Sequence, residues 1–223
     1  MKFLHQKIPL GYLDLTAETL PKGRTYTDPD GNKYPSITTV LGILSRDSIA
    51  AWKKRVGEEE ANKISYKASS RGTAVHDIVE KYLNNEDTGK TMPHIQASLS
   101  NLKPILNRID VIYGQEVPLY SKHLGVAGRV DCVGKFDGVP SIIDFKTSKR
   151  VKKREWCKGY FMQEAAYAIM WEERTGMPIP NLVTIMDVDN EDPLVFIEHR
   201  DQWVPKLFET IELYREDMRK RPL

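Results

Sequence analysis

Apolar positions along the chain change their spacing near residue 110: before it they recur mostly at helical intervals, and after it mostly at strand intervals. Residues 1–23 are weakly patterned and are expected to wrap over the surface. Residues 24–34 hold DPDGNKY, a turn sequence that predicts a small hairpin. Pro35-Ser36 offers a cap for a helix carrying Thr39, Val40, Leu41 and Leu44. Asp47 or Ser48 can cap a second helix, with Ile49, Trp52 and Val56 at helical spacing, and a charged helical stretch continues to about Lys67. Ser69 and Ser70 then predict the start of a separate helix over 72–83, whose stripe is Val75, Ile78, Val79, Tyr82 and Leu83. After a loop at 84–90, residues 93–109 predict a helix with a break near Pro104.

From Ile112 the pattern becomes strand-like. IYGQEVPLYSK predicts one strand and 126–136 a second, and Asp137-Gly138 is a strong hairpin dipeptide between apolar runs. Residues 140–145 are nearly all apolar, as a strand buried on both faces would be. A helix over 159–174 ends at Gly176 and Pro178, two short strands follow at 182–187 and 194–198, and 201–219 closes as an amphipathic helix. The order predicts an α/β (α+β) fold, a mixed β-sheet core flanked by helices with an N-terminal helical region. The chain is read as one domain over 1–223, with 1–110 mainly helical and 111–223 forming the sheet.

Composition narrows the chemistry. The 223 residues carry a net charge of +2, so affinity for a polyanion must come from local clustering. Two cysteines, Cys132 and Cys157, are too few for an iron–sulfur cluster or a four-cysteine zinc site, and free thiols are expected. The N-terminal MKFLHQKIPLGYLDL lacks the apolar core of a signal peptide and the composition of a transit peptide, and no run reaches membrane-spanning length. The expectation is a soluble, cytoplasmic protein (host cytoplasm if phage-encoded) with no membrane partner.

The apolar strand at 140–145 leads into Asp144 and Lys146, whose side chains leave the same face because a strand repeats every two residues. Burying two charges is costly unless they pair or bind a metal. For an isolated D-x-K the commoner reading is a structural ion pair; the sharper one is a divalent-metal site with Asp131 on the partner strand as a second carboxylate. Four other features bear on that choice. Gln163 and Tyr167 share one helix face, His76 follows RGTAV near a helix start, and Glu116 lies on a neighbouring strand. The run 146–154 is rich in Lys and Arg, which reads either as a solvated loop or as a phosphate grip.

Together these residues resemble the PD-(D/E)XK nucleases of the RecB type, and most nearly the mitochondrial genome maintenance exonuclease family, a Cas4-like branch. The motifs that carry the likeness are YPSITTVL at 34–41, AAWKKRVGEE at 50–59, RGTAVHDIVEKYL at 71–83, AGRVDCVGKFDGVPSIIDFKTSK at 127–149 and QEAAY at 163–167. The resemblance implies a restriction-endonuclease-like core in which His76, Asp131, Asp144 and the Phe145 carbonyl hold Mg²⁺ or Mn²⁺. Lys146 would be the catalytic lysine, Gln163 and Tyr167 would support the site, and Glu116 would match the acidic position of the first core strand. Implied DNA contacts are Arg71, Arg129, Thr147 and Ser148, then Lys149, Lys152 and Lys153, with Trp52, Tyr66 and Tyr160 as stacking candidates. Such enzymes cut DNA from ends, prefer single strands and thread them beneath a helical arch, here sought at 52–67. Cas4 relatives also carry a cysteine-ligated iron–sulfur cluster, which this chain cannot build. With no mitochondrial targeting segment read, a bacterial or phage enzyme is expected. It would act as a monomer on single-stranded DNA, with replication or recombination proteins as candidate partners. The rivals are a structure-specific endonuclease on the same site, a catalytically silent nucleic-acid-binding subunit, and a metal-binding regulatory domain.

Overall fold

The computed structural model describes residues 2–220. In chain order its elements begin with four short strands, β1 (Leu4–His5), β2 (Thr16–Leu20), β3 (Gly23–Thr27) and β4 (Lys33–Pro35). Helices α1 (Ile37–Leu41), α2 (Arg46–Val56), α3 (Glu58–Leu83) and α4 (Pro93–Leu106) follow. The rest is β5 (Ile109–Ser121), β6 (Val126–Phe136), β7 (Val139–Ser148), α5 (Lys158–Thr175), β8 (Asn181–Val188), β9 (Leu194–His199) and α6 (Val204–Lys220). The β-β-β-α-β-β-α order predicted for the second half is the observed one.

Six strands form one mixed sheet in the order β1-β5-β6-β7-β8-β9. Its β1–β5 and β7–β8 pairs are parallel and the other three antiparallel. The long β7–β8 pair is parallel because α5 carries the chain back between them, as parallel neighbours require. Alternation along the central strands sends Ile142, Leu182 and Met186 into a core with α1, α5 and α6. The residues between them, Ile143, Val183 and Ile185, meet α3 and α4 on the other face. Asp144 and Lys146 follow Ile142 at two-residue steps, so they face α5. The hairpin expected at 24–34 is β3–β4, with Asp28 accepting bonds from Asp30, Asn32 and Tyr34 in its turn.

Three expectations are corrected. Helix α3 runs unbroken through Ser69, Ser70 and Gly72. Gly in a helix costs only about 1 kcal/mol, and tertiary contacts override that here. Arg71 pairs with Asp187 at 2.5 Å and Asp189 at 2.9 Å, and Ser98 of α4 donates to the same Asp187. Helix α4 shows no break at Pro104, which lies in its last turn, and the chain is already strand by Ile109. Residues 1–23, expected to wrap over the surface, instead supply β1 to the main sheet and β2 to a second sheet, β2-β3-β4. Every residue of β2 is exposed, so no alternation was there to read.

Every residue from Asn62 to Ser70 is also exposed. A helix with no buried face over more than two turns projects from the body. It roots where Arg71 meets Asp187. Both cysteines are free and buried, and among the described residues no helix is long and apolar enough to cross a membrane.

Candidate metal centre and active site

The site forms where two strands part. The β6–β7 ladder runs from Phe136↔Val139 to Cys132↔Ile143, whereas β7 continues beside β8 to Ser148↔Val188. At this fork Asp131 Oδ2 accepts from the Phe145 backbone N–H at 2.8 Å, replacing a ladder carbonyl. On the other side of β6, Glu116 lies between the pairs Gln115↔Cys132 and Val117↔Val130. Its φ of 49° is in the left-handed region, uncommon for Glu and a mark of local strain. Arg129 donates to the Glu116 carbonyl at 2.6 Å and to Asp14 at 2.5 Å.

His76 reaches the fork from α3. Its Nε2 is 2.7 Å from the Phe145 carbonyl and its Nδ1 is 3.7 Å from Asp131 Oδ2. A carbonyl only accepts, so Nε2 carries the proton and Nδ1 is left to ligate. One ligand atom each from His76, Glu116 and Asp131 lies within 4.8 Å of the others. An imidazole with two carboxylates suits a divalent ion with oxygen preference and some nitrogen tolerance.

Behind this group lies a drier layer. Asp144 is fully buried; its Oδ2 pairs with Lys146 and its Oδ1 accepts from Gln163 Nε2 at 3.3 Å. The same amide nitrogen reaches the Tyr167 hydroxyl at 3.3 Å. Tyr167 lies so close to β6 that a Cβ on Gly128 would meet its ring at 2.7 Å, which accounts for the glycine of AGRVD. Lys146 Nζ also sits 5.3 Å over the Tyr160 ring.

These surroundings move protons. Burial pushes the Asp144 carboxyl up to about 6, against the pull of Lys146 and with added repulsion from Asp131. Burial alone would lower the Lys146 ammonium, but the charges of Asp144 and Asp131 prevail and raise it, so it stays charged. Glu116 rises to about 7, first through burial and then through repulsion from Asp131 and Glu80.

A cleft of 470 Å³ opens over the group. Its lining includes the acidic and imidazole side chains of His76, Asp77, Glu80, Glu116 and Asp131, the basic Arg24 and Arg129, and the polar Ser36, Thr38, Gln163 and Tyr167. The sequence reading named Asp144 and the Phe145 carbonyl as ligands beside His76 and Asp131. In the structure Glu116 completes the three-residue group, while Asp144 turns to Lys146 and Gln163 and the carbonyl accepts from His76.

The DNA candidates are more dispersed. Arg71 is held by Asp187 and Asp189, and Ser148 donates to the Arg150 carbonyl. Lys152 donates to the Tyr160 hydroxyl at 2.6 Å, and Lys153 lies over Trp156. Lys149 is exposed, Thr147 half-buried beside Gly72, and Trp52 half-buried on α2. Arg154, from the same basic run, forms a bidentate pair with Glu198. The cleft walls thus come from other residues than the basic run. Sequence reasoning missed Arg24, Ser36, Thr38 and Glu80 among the residues that line the cleft. Glu80 had a readable signal, since it stands four residues after His76 on one helix.

No protein-family model matches the chain. Its sequence is similar to mitochondrial genome maintenance exonuclease 1 of Homo sapiens, 24% identical over 132 residues. By name, that relative is an exonuclease. The match takes in 54% of this chain and 38% of the human protein, so the chain spans well under half of its relative. Among solved structures, a protein from Eubacterium rectale provisionally described as an exonuclease superposes with a TM-score of 0.45 at 15% identity, over 64% of each chain.

Proposed function

We propose that the protein is a divalent-metal-dependent DNA exonuclease that hydrolyses phosphodiester bonds and prefers single-stranded ends. The observation that carries this reading is the convergence of His76, Glu116 and Asp131 within 4.8 Å beneath an open cleft. The donor set fits Mg²⁺ or Mn²⁺: two carboxylates supply hard oxygens, and His76 turns its Nδ1 toward Asp131 as a nitrogen donor. Asp144 and the Phe145 carbonyl, the further ligands that the resemblance implies, are taken up by Lys146, Gln163 and His76 instead, so Glu116 supplies the second carboxylate. When bound, such an ion acidifies a coordinated water and offsets charge on the phosphate.

The chain's own residues do the rest. Lys146, kept an ammonium by Asp144 and Asp131, orients the attacking water and faces the negative charge on the phosphoryl oxygens in the transition state. Gln163 and Tyr167 steady Asp144 from α5. Arg24 and Arg129, which also line the cleft, take the phosphates flanking the cut, and Ser36 and Thr38 add hydroxyl donors there. The projecting part of α3 carries Tyr66, 75% exposed, as a stacking surface for a guided strand. Similarity to a human exonuclease supports the same chemistry.

The test compares linear single-stranded, linear duplex and circular single-stranded DNA with Mg²⁺, Mn²⁺ or EDTA, using wild type and Lys146→Ala. Metal-dependent loss of linear single strands, with circles spared and Lys146→Ala inactive, is the expected result. Cut circles would replace it with an endonuclease. Salt-sensitive binding without cleavage would replace it with a silent binder.

A further inference from the structure

Glu164 is fully buried on α5, and nothing in the chemistry above uses it. Thr184 Oγ1 donates to its Oε1, while its Oε2 has no hydrogen-bond partner. Thr184 stands on β8 directly beside Asp144 of β7. A carboxyl with one oxygen orphaned in the core is a net cost to folding, which a similar apolar side chain would not incur. The position is costly, and its neighbour in the chain is Gln163, the donor to Asp144. Successive side chains on a helix are about 100° apart, so holding Glu164 against β8 sets the direction of Gln163. The Gln163–Asp144 bond is long, 3.3 Å, and a small rotation of α5 would break it.

We propose that Glu164 is a positioning residue: its bond to Thr184 sets the rotation of α5 on β8, so that Gln163 holds Asp144 in register with Lys146. This inference rests on the nuclease reading for its effect on rate, but its structural part can be read without turnover.

The variants are Glu164→Leu, Glu164→Gln and Thr184→Val, each also made in a Gln163→Ala background. Melting temperature, kcat and KM on linear single-stranded DNA with Mn²⁺, and the NMR shift of the Gln163 side-chain amide are measured. Glu164→Leu is expected to melt at or above the wild-type temperature, to shift the Gln163 amide, and to lose kcat about 10- to 100-fold at constant KM. Thr184→Val should shift the amide and lower kcat in the same way, though with a lower melting temperature because it leaves the buried Glu164 carboxyl without its donor. It takes the place of Glu164→Leu should that variant fail to fold. Glu164→Gln keeps a partner for Thr184 and should restore both the amide shift and most of kcat. In the Gln163→Ala background, Glu164→Leu should add nothing. An unmoved amide shift, full kcat in Glu164→Leu, or a loss that multiplies with Gln163→Ala would each overturn the proposal. A melting temperature that falls with kcat, without rescue by Gln, would make Glu164 merely structural. Wild type without turnover on any DNA would sink the nuclease reading, and the amide shift alone would then decide the positioning role.

Discussion

Asp131 and Asp144 are carboxylates on neighbouring strands of one sheet, yet they are covered differently. Asp131 stands where β6 leaves β7, its side chain 14% exposed and grouped with His76 and Glu116 at the cleft. Asp144 stands where β7 is still flanked by β8 and roofed by α5, with 0% exposure and Lys146 as its counter-ion. The open ladder turns one acid toward solvent, where it can meet an ion and substrate. The closed ladder keeps the other in the core, where an acid persists as an anion only with a cation beside it. A cleft-facing position and a lysine-holding position thus arise from where hydrogen bonding between strands stops.

The contrast can be broken most forcefully at Lys146. Lys146→Ala leaves Asp144 buried without its counter-ion, so DNA hydrolysis should vanish and unfolding in urea should show a loss of about 3–5 kcal/mol. Asp131→Asn should separate the two effects. Asn still accepts the Phe145 N–H, so stability should change by about 1 kcal/mol or less, while metal-dependent hydrolysis is lost. Comparable stability losses for Asp131→Asn and Lys146→Ala would erase the distinction.

Proton linkage sharpens it further. Asp144 rises from 3.8 to about 6 and Glu116 from 4.5 to about 7. Between those limits the folded protein holds protons that the unfolded chain has released. Asp144 therefore lowers the stability of the metal-free protein as pH rises from about 4 to about 6, and Glu116 as it rises from about 4.5 to about 7. Glu116→Gln should flatten the upper part of that slope in denaturation measured across pH. Mn²⁺ binding near pH 6 should expel a proton from Glu116, seen by calorimetry in buffers of different ionisation enthalpy, and Glu116→Gln should abolish this release. The smallest effect is expected outside the cleft. Lys149→Ala with Lys153→Ala should leave kcat unchanged and lower the salt dependence of DNA binding by roughly one unit of slope for each phosphate that is no longer neutralised.

Much of the fold was legible because its signals are local. Asp137 and Gly138 both adopt positive φ, 49° and 79°, as the hairpin dipeptide predicts. The buried run of β7 and the end of helix α5 at Gly176 were also local signals, an unbroken apolar stretch and a helix-stopping glycine. Illegible features depended on distant partners. Ser69, Ser70 and Gly72 look like a helix boundary until Arg71 is seen tied to Asp187, 116 residues away. Exposed β2 offered no alternation, and Pro104 could sit near the end of α4 without breaking it.

The site divides the same way. Local chain pattern was enough to supply the residue types: a helical His76, acids at 116, 131 and 144, and a lysine two residues after the last. Folding was needed to bring Glu116, not Asp144, into the group with His76 and Asp131, and to make Arg71 the anchor of a helix. Strand period fixes which face a side chain leaves, since it is set within a few residues of chain. Whether that face meets solvent, metal or a packed helix depends on where β6 and β7 part and how α3 and α5 lie over them. Those are contacts between residues far apart in sequence, such as His76 with Phe145 and Glu164 with Thr184, and no local period records them.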